Sequence, residues 1–208
     1  RALSKAGQRL TGYNVQSVVD DTHKLIVHHE VTNAGNDQGQ LAEQGGAAKA
    51  VLGVDTLTVL ADAGYYSEEQ LAACEKAKLN VYVPIPDKHK AVAHEQRLSG
   101  ERFHYIPSAD VYVCPGGQLL RPQGKPIAKQ GVLRTRYTRP ARQCQGCVLK
   151  AACLPKKTAR RQIYRSEHAE LVASHRRRMA DAGRERMRQR AATVEHPFGT
   201  LKRWFGWD

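Results

Sequence analysis

Residues 12–85 carry apolar runs of two different periods in alternation, and no other feature of the chain restricts its fold as much. GYNVQSVVD (12–20) and KLIVHHEVT (24–32) are rich in β-branched residues and read as two strands. Asp20-Asp21-Thr22-His23 between them reads as a hairpin turn, and Asn33-Ala34-Gly35-Asn36-Asp37 then breaks the pattern. Residues 37–51 fit a helix with Leu41 as its first apolar anchor, and DTLTVLA (55–61) is a short apolar strand that ends at Asp62. Ser67 stands three residues before Gln70, a capping-box pattern for a second helix that runs to about Lys78. NVYVPI (80–85) is a further strand. The order strand, strand, helix, strand, helix, strand predicts an α/β sheet with an antiparallel edge pair and helical crossovers.

From residue 86 charged residues, Pro and Gly become common and the pattern fragments into short strand candidates at 102–106, 110–114 and near 132–137. This stretch has too few apolar residues to hold a core without help. From Glu167 the chain reads as helical again, over 168–180 and 183–196 with a break at Gly183. The expected organisation is 1–86 as the first part of one domain, 87–166 as a basic insertion, and 167–208 as a helical return to the first domain. Strong apolar residues continue up to Trp207, which predicts a domain cut short at residue 208.

Charge narrows the partner. The net charge of +13 is concentrated: residues 121–142 hold seven Lys or Arg and no acid, and residues 156–190 hold twelve against four acids. Positive charge this dense attracts a polyanion and makes binding salt-dependent, so DNA or RNA is the expected partner. No run approaches the length of a transmembrane span and RALSKAGQRLTGYN has no apolar signal region, so a cytoplasmic setting and no membrane partner are expected.

Five cysteines in such a setting argue against a disulfide framework. Cys74 stands alone in an apparent helix and reads as a small core residue. Cys144, Cys147 and Cys153, with Cys114 thirty residues earlier, are candidate ligands of a structural zinc ion, which takes four thiolates tetrahedrally. Reduced cysteines packed as small apolar groups are the alternative. His28 and His29 are adjacent on a strand and point to opposite faces, which disfavours a shared metal.

Among the acids, Asp62 is the most informative, because ligands of open α/β sheets gather at the C-terminal ends of strands. Glu195 lies on the same helical face as Lys202, seven residues later, beside a stripe of Val194, Phe198, Leu201 and Phe205, unless Pro197 starts the helix. Two-metal cleavage of nucleic acid needs more than two carboxylates. A third acid is therefore absent or lies among Asp20, Asp21, Glu30 and Asp37.

Three segments, TGYNVQSVVDDTHKLIVHHEVTNAGNDQGQL, VLADAGYYSEEQL and VEHPFGTLKRWFG, together resemble the transposases of bacterial insertion sequences of the IS1182 group, within the broad IS4/IS5-like class of DDE transposases. The resemblance covers essentially the whole chain. It implies an RNase H-like mixed sheet interrupted by the cysteine-containing insertion, and metal-dependent cleavage and transfer of DNA strands with Mg²⁺ or Mn²⁺. It makes Asp62 the second catalytic Asp and Glu195 the catalytic Glu, both metal-holding, and Lys202 a phosphate contact, with Arg203 and Arg188 as further DNA contacts. The wider class has a Tyr and an Arg seven and four residues before the Glu, positions held here by Arg188 and Ala191. The family's first catalytic Asp belongs on a strand upstream of GYNVQ, so the fold is expected to be incomplete and the fragment inactive. The implied partners are double-stranded DNA, as terminal inverted repeats and target, and a second subunit in the DNA complex, at the bacterial nucleoid. The alternative is a non-catalytic nucleic-acid-binding fragment of a decayed transposase.

Overall fold

Strand formation begins where side chains alternate. The computed structural model describes residues 2–5, 8–86, 98–155 and 157–205, with side chains from residue 12 onward except those of 201, 202 and 205. Strands β1 (Ala2–Lys5) and β2 (Gln8–Thr11) form an antiparallel pair. Strands β3 (Asn14–Val19) and β4 (Ile26–Thr32) form a second. The Asp20–His23 segment turns between β3 and β4, with the Asp20 carboxylate accepting the His23 amide at 2.6 Å.

Helix α1 (Leu41–Leu52) follows and stops at Gly53, whose φ of +65° suits a residue without a Cβ. Strand β5 (Leu57–Leu60) runs parallel to β6 (Leu79–Tyr82). Helix α2 (Glu68–Lys76) joins them, its first turn capped by the Ser67 hydroxyl accepting the Gln70 amide at 3.1 Å. The Gln70 side chain does not complete the reciprocal box. It accepts the Ala42 amide at 2.8 Å and so ties α2 to α1.

Leu41, Ala61, Leu71, Cys74, Leu79, Val81 and Val83 form the core here, with Leu171 and Val172 packed against it. Gly45 lets α1 lie close on β5 and β6: a Cβ there would meet Leu79 Cδ1 at 2.9 Å and Val59 Cγ2 at 3.3 Å.

Helix α5 (Ala169–Phe205) is one continuous helix. The expected break at Gly183 is absent, and Pro197 lies inside the helix rather than at its start. Met179 covers the bare backbone at Gly183, its Cε 2.8 Å from where a Cβ would sit. Side-chain anchors hold α5 against β6. His175, fully buried, bonds through Nε2 to the Val83 carbonyl at 2.8 Å. Arg178 donates to Asn80 at 2.7 Å, and Arg178 and Arg186 lie over the Tyr82 ring.

Residues 1–86 and 170–208 form one compact unit and residues 87–169 another. In the second unit, β7 (His104–Ile106), β8 (Val111–Val113), β9 (Leu119–Pro122), β10 (Ile127–Lys129), β11 (Val132–Thr138) and β12 (Gln162–Ser166) make an antiparallel sheet. Strand β11 organises it, pairing with β9, β10 and β12. Gln130 and Gly131, both at positive φ, close the tight β10–β11 hairpin. Short helices α3 (Ala141–Gln145) and α4 (Lys150–Cys153) follow β11. Phe103, Leu120 and Tyr137 are the buried centre of this unit. Strands β7, β8 and β11 lie where the sequence pattern predicts strands, whereas β9, β10 and β12 lie where it predicts none.

Candidate active site

The end of β5 delivers Asp62 to a 3₁₀ turn over Ala63–Tyr65, where its Oδ1 accepts the Gly64 amide at 2.9 Å. Its Oδ2 accepts from Arg190 Nη2 of α5 at 3.0 Å, in a pair whose carboxylate side chain is half exposed. Arg190 is thus a site residue that sequence reasoning missed.

A second carboxylate stands beside Asp62. Asp37, in the loop before α1, accepts through Oδ1 from Asn14 Nδ2 at 2.8 Å and Gln16 Nε2 at 2.7 Å. Asn14 and Gln16 are two apart on β3 and therefore share a face. Buried Gln16 in turn accepts from the Tyr65 hydroxyl. The position a Gly64 Cβ would take is 3.0 Å from Asp62 Oδ1 and 3.9 Å from Asp37 Oδ2, so both carboxylates border one small space that glycine leaves open. Tyr65 senses this arrangement: burial first, then the charges of Asp37 and Asp62, push its hydroxyl up to about 12.

Both acids line a cavity of about 460 Å³ that runs along the whole of β5 and along Val15–Val19 of β3. Each of these strands has one partner, β6 and β4 respectively, and among the described residues no strand pairs with the other edge of either. Helix α5 forms another wall through Arg186, Gln189, Arg190, Thr193, Val194 and Phe198.

Asp21 fixes the β3–β4 turn to that wall. It accepts from Thr193 Oγ1 and Gln189 Nε2, both at 2.5 Å, and from Lys24 Nζ at 2.9 Å. The Thr193 bond, then those from Lys24 and Gln189, hold its carboxyl well below the usual carboxylate range.

Glu195 is placed differently. It is exposed on α5, and five residues beyond Arg190 it lies roughly 140° around the helix from that guanidinium. Among the described residues no hydrogen bond or ion pair joins it to Asp62. The acid that the fold brings beside Asp62 is Asp37, one of the four named from sequence. The other three are engaged elsewhere: Glu30 accepts from Gln44 at 2.5 Å, Asp20 caps its own turn, and Asp21 anchors α5.

Of the expected DNA contacts, Arg188 is exposed and paired with Glu185 at 3.7 Å, Arg203 is exposed, and the Lys202 side chain lies outside the described residues. In the second unit Cys114, Cys144, Cys147 and Cys153 line one small cavity. Among the described residues no three His, Cys, Asp or Glu side chains stand in a ready metal-binding arrangement, at the carboxylates or at the thiols.

No helix among the described residues is long and apolar enough to cross a membrane. No curated protein and no solved structure matches the chain. The family model described as "Transposase DDE domain" matches residues 1–208, and the mixed α/β architecture agrees with the RNase H-like class. DDE transposase domains act on DNA and generally use divalent metal ions. The match specifies the family and not the IS1182 group within it. With an Asp at the end of β5, a second carboxylate beside it and a family match along its entire length, the chain belongs to the transposase DDE domain family.

Proposed function

We propose that this domain serves metal-dependent cleavage of DNA at the ends of an insertion sequence and transfer of the freed strand to target DNA. In this reading Asp62 is one metal-holding carboxylate and Glu195 the other that the resemblance implies, with Arg188, Lys202 and Arg203 contacting phosphates. The observation that carries the proposal is the convergence of Asp62 and Asp37 on one open space at the wall of a cavity. Isolated strand-end acids are common; two carboxylates on one space are a reason to expect a cation.

A bound Mg²⁺ or Mn²⁺ would activate a water or hydroxyl and stabilise the leaving oxygen. The donors present fall short of that task. Among the described residues two carboxylates converge and no third joins them. The edges of β3 and β5 that are unpaired among the described residues suit a strand bearing the family's first Asp, which would add a further donor. Arg190 neutralises Asp62 here, and its planar guanidinium also suits a DNA phosphate.

A second reading, DNA binding without cleavage, is favoured by the exposed position of Glu195 on the side of α5 away from Arg190. One experiment separates the two. Cleavage and joining of labelled terminal-repeat DNA are measured with Mg²⁺ or Mn²⁺, for this chain and for a version preceded by a strand that supplies the upstream Asp. The extended protein is expected to join strands, and Asp62→Asn and Glu195→Gln to abolish joining. Unchanged joining in Asp62→Asn would overturn the assignment. Loss in Asp37→Asn with retention in Glu195→Gln would make Asp37 the partner of Asp62. Salt-dependent binding with no cleavage in either protein would establish the second reading.

A further inference from the structure

Four cysteines from three short turns meet at one void in the unit formed by residues 87–169. Cys114 follows β8 and opens the turn Pro115-Gly116-Gly117, closed by the Gly117 amide (φ +72°) donating to the Cys114 carbonyl at 2.8 Å. Cys144 lies in α3, and the Cys147 amide donates back to its carbonyl at 3.3 Å. Cys153 ends α4, its amide donating to the Leu149 carbonyl at 2.9 Å. The void has a volume of about 30 Å³, room for a small ion or a water or two. The point a Gly116 Cβ would occupy lies 3.7 Å from both the Cys114 and the Cys147 sulfur, so these two thiols face one point. None of the four is in a disulfide.

The rest of the lining is compatible with a charged centre. Phe103, Leu120 and Leu154 are apolar, but Arg139, Lys150 and Arg161 also border the void. Four thiolates around a divalent ion carry a net charge of about −2, which these cations offset. Arg161 also has a buried Nε with no partner, while its Nη atoms donate to the Cys153 and Leu98 carbonyls at 3.1 and 3.2 Å.

We propose that Cys114, Cys144, Cys147 and Cys153 hold one structural zinc ion that staples this unit. The thiols ring the void without already converging on one point. Reaching Zn–S bonds of about 2.3 Å requires them to turn inward, a rotation that a single Cys side chain makes about χ1. The ion adds stabilisation to a small apolar centre built around Phe103, Leu120 and Tyr137.

The test uses the whole chain purified without chelators. Elemental analysis is expected to find about one zinc per chain. Exchange with cobalt(II) is expected to give the visible absorption of a tetrahedral thiolate site. Removing the ion with a chelator is expected to expose residues 98–169 to protease, with protection restored by zinc. Cys144→Ser and Cys147→Ser are expected to lose the metal, whereas Cys74→Ala, which alters the one cysteine outside the cluster, keeps it. Because the serine variants can fail to fold, the wild-type readings decide. Zinc below roughly a tenth of an ion per chain, together with no cobalt spectrum, would overturn the proposal. So would a protease pattern that the chelator leaves unchanged.

Discussion

The two units of this chain solve the same problem with different means. In the unit of residues 1–86 and 170–208, apolar side chains recur at strand and helix spacing, and Leu41, Leu71, Leu79, Val81 and Val83 meet in one core. In the unit of residues 87–169 the strands are short, and β10 has all three residues exposed. Its buried cluster is Phe103, Leu120 and Tyr137, with rings of Tyr105, Tyr112 and Tyr137 packed 5.0–6.1 Å apart and the Tyr105 and Tyr137 hydroxyls donating to Asp110. The first unit is held by the period of its sequence. The second is held by a few large contacts, so each contact there matters more.

The comparison can be broken most directly at Leu120, which has no exposed surface. Leu120→Ala is expected to cost about 2–5 kcal/mol and to open residues 98–169 to protease while the other unit stays protected. Simultaneous digestion of both units would show that they do not behave separately.

Acid should act in the opposite sense, on the first unit. Burial pushes the His175 imidazole below its usual value of 6.5, because the buried ring is held neutral. Its contribution to stability is therefore present in full above pH 6.5 and is lost as pH falls through the lower folded value. Denaturant midpoints measured across this range are expected to fall on acidification for wild type and to fall less for His175→Gln. Equal slopes in the two proteins would remove His175 as the cause.

A smaller effect tests the helix cap. Ser67→Ala removes the acceptor of the Gln70 amide and is expected to lower the stability of the first unit by about 1 kcal/mol, read from denaturant unfolding. Smallest of all, Arg188→Ala breaks an ion pair whose side chains are about three-quarters exposed, and is expected to change stability by under roughly 0.5 kcal/mol.

Much of the first unit was legible because its signals are local. β-branched runs mark β3 and β4, a Ser three residues before a Gln marks α2, and a short apolar run ending in Asp marks β5. The failures are tertiary. Gly183 and Pro197 argue locally for helix ends, yet α5 continues through both, fastened along its length by His175, Arg178 and Arg190. Strand β9 is only four residues long, and β12 pairs with a strand more than twenty residues away in sequence. The choice of Asp37 among four acids required knowing that the loop before α1 returns to the end of β5. One clue was present: Asn14 and Gln16 are two amide side chains on a single face of β3, which implies a polar partner on that face.

The sides of β3 and β5 that no strand pairs among the described residues have a practical consequence. Each offers a row of backbone amides and carbonyls to the same cavity, and such rows recruit any extended peptide within reach. A polypeptide lying between them would satisfy two hydrogen-bonding ladders at once and turn two separate hairpin-sized sheets into one continuous sheet. Open edges of this kind favour association between copies on concentration, which makes a short synthetic peptide a rational additive for keeping the protein in solution.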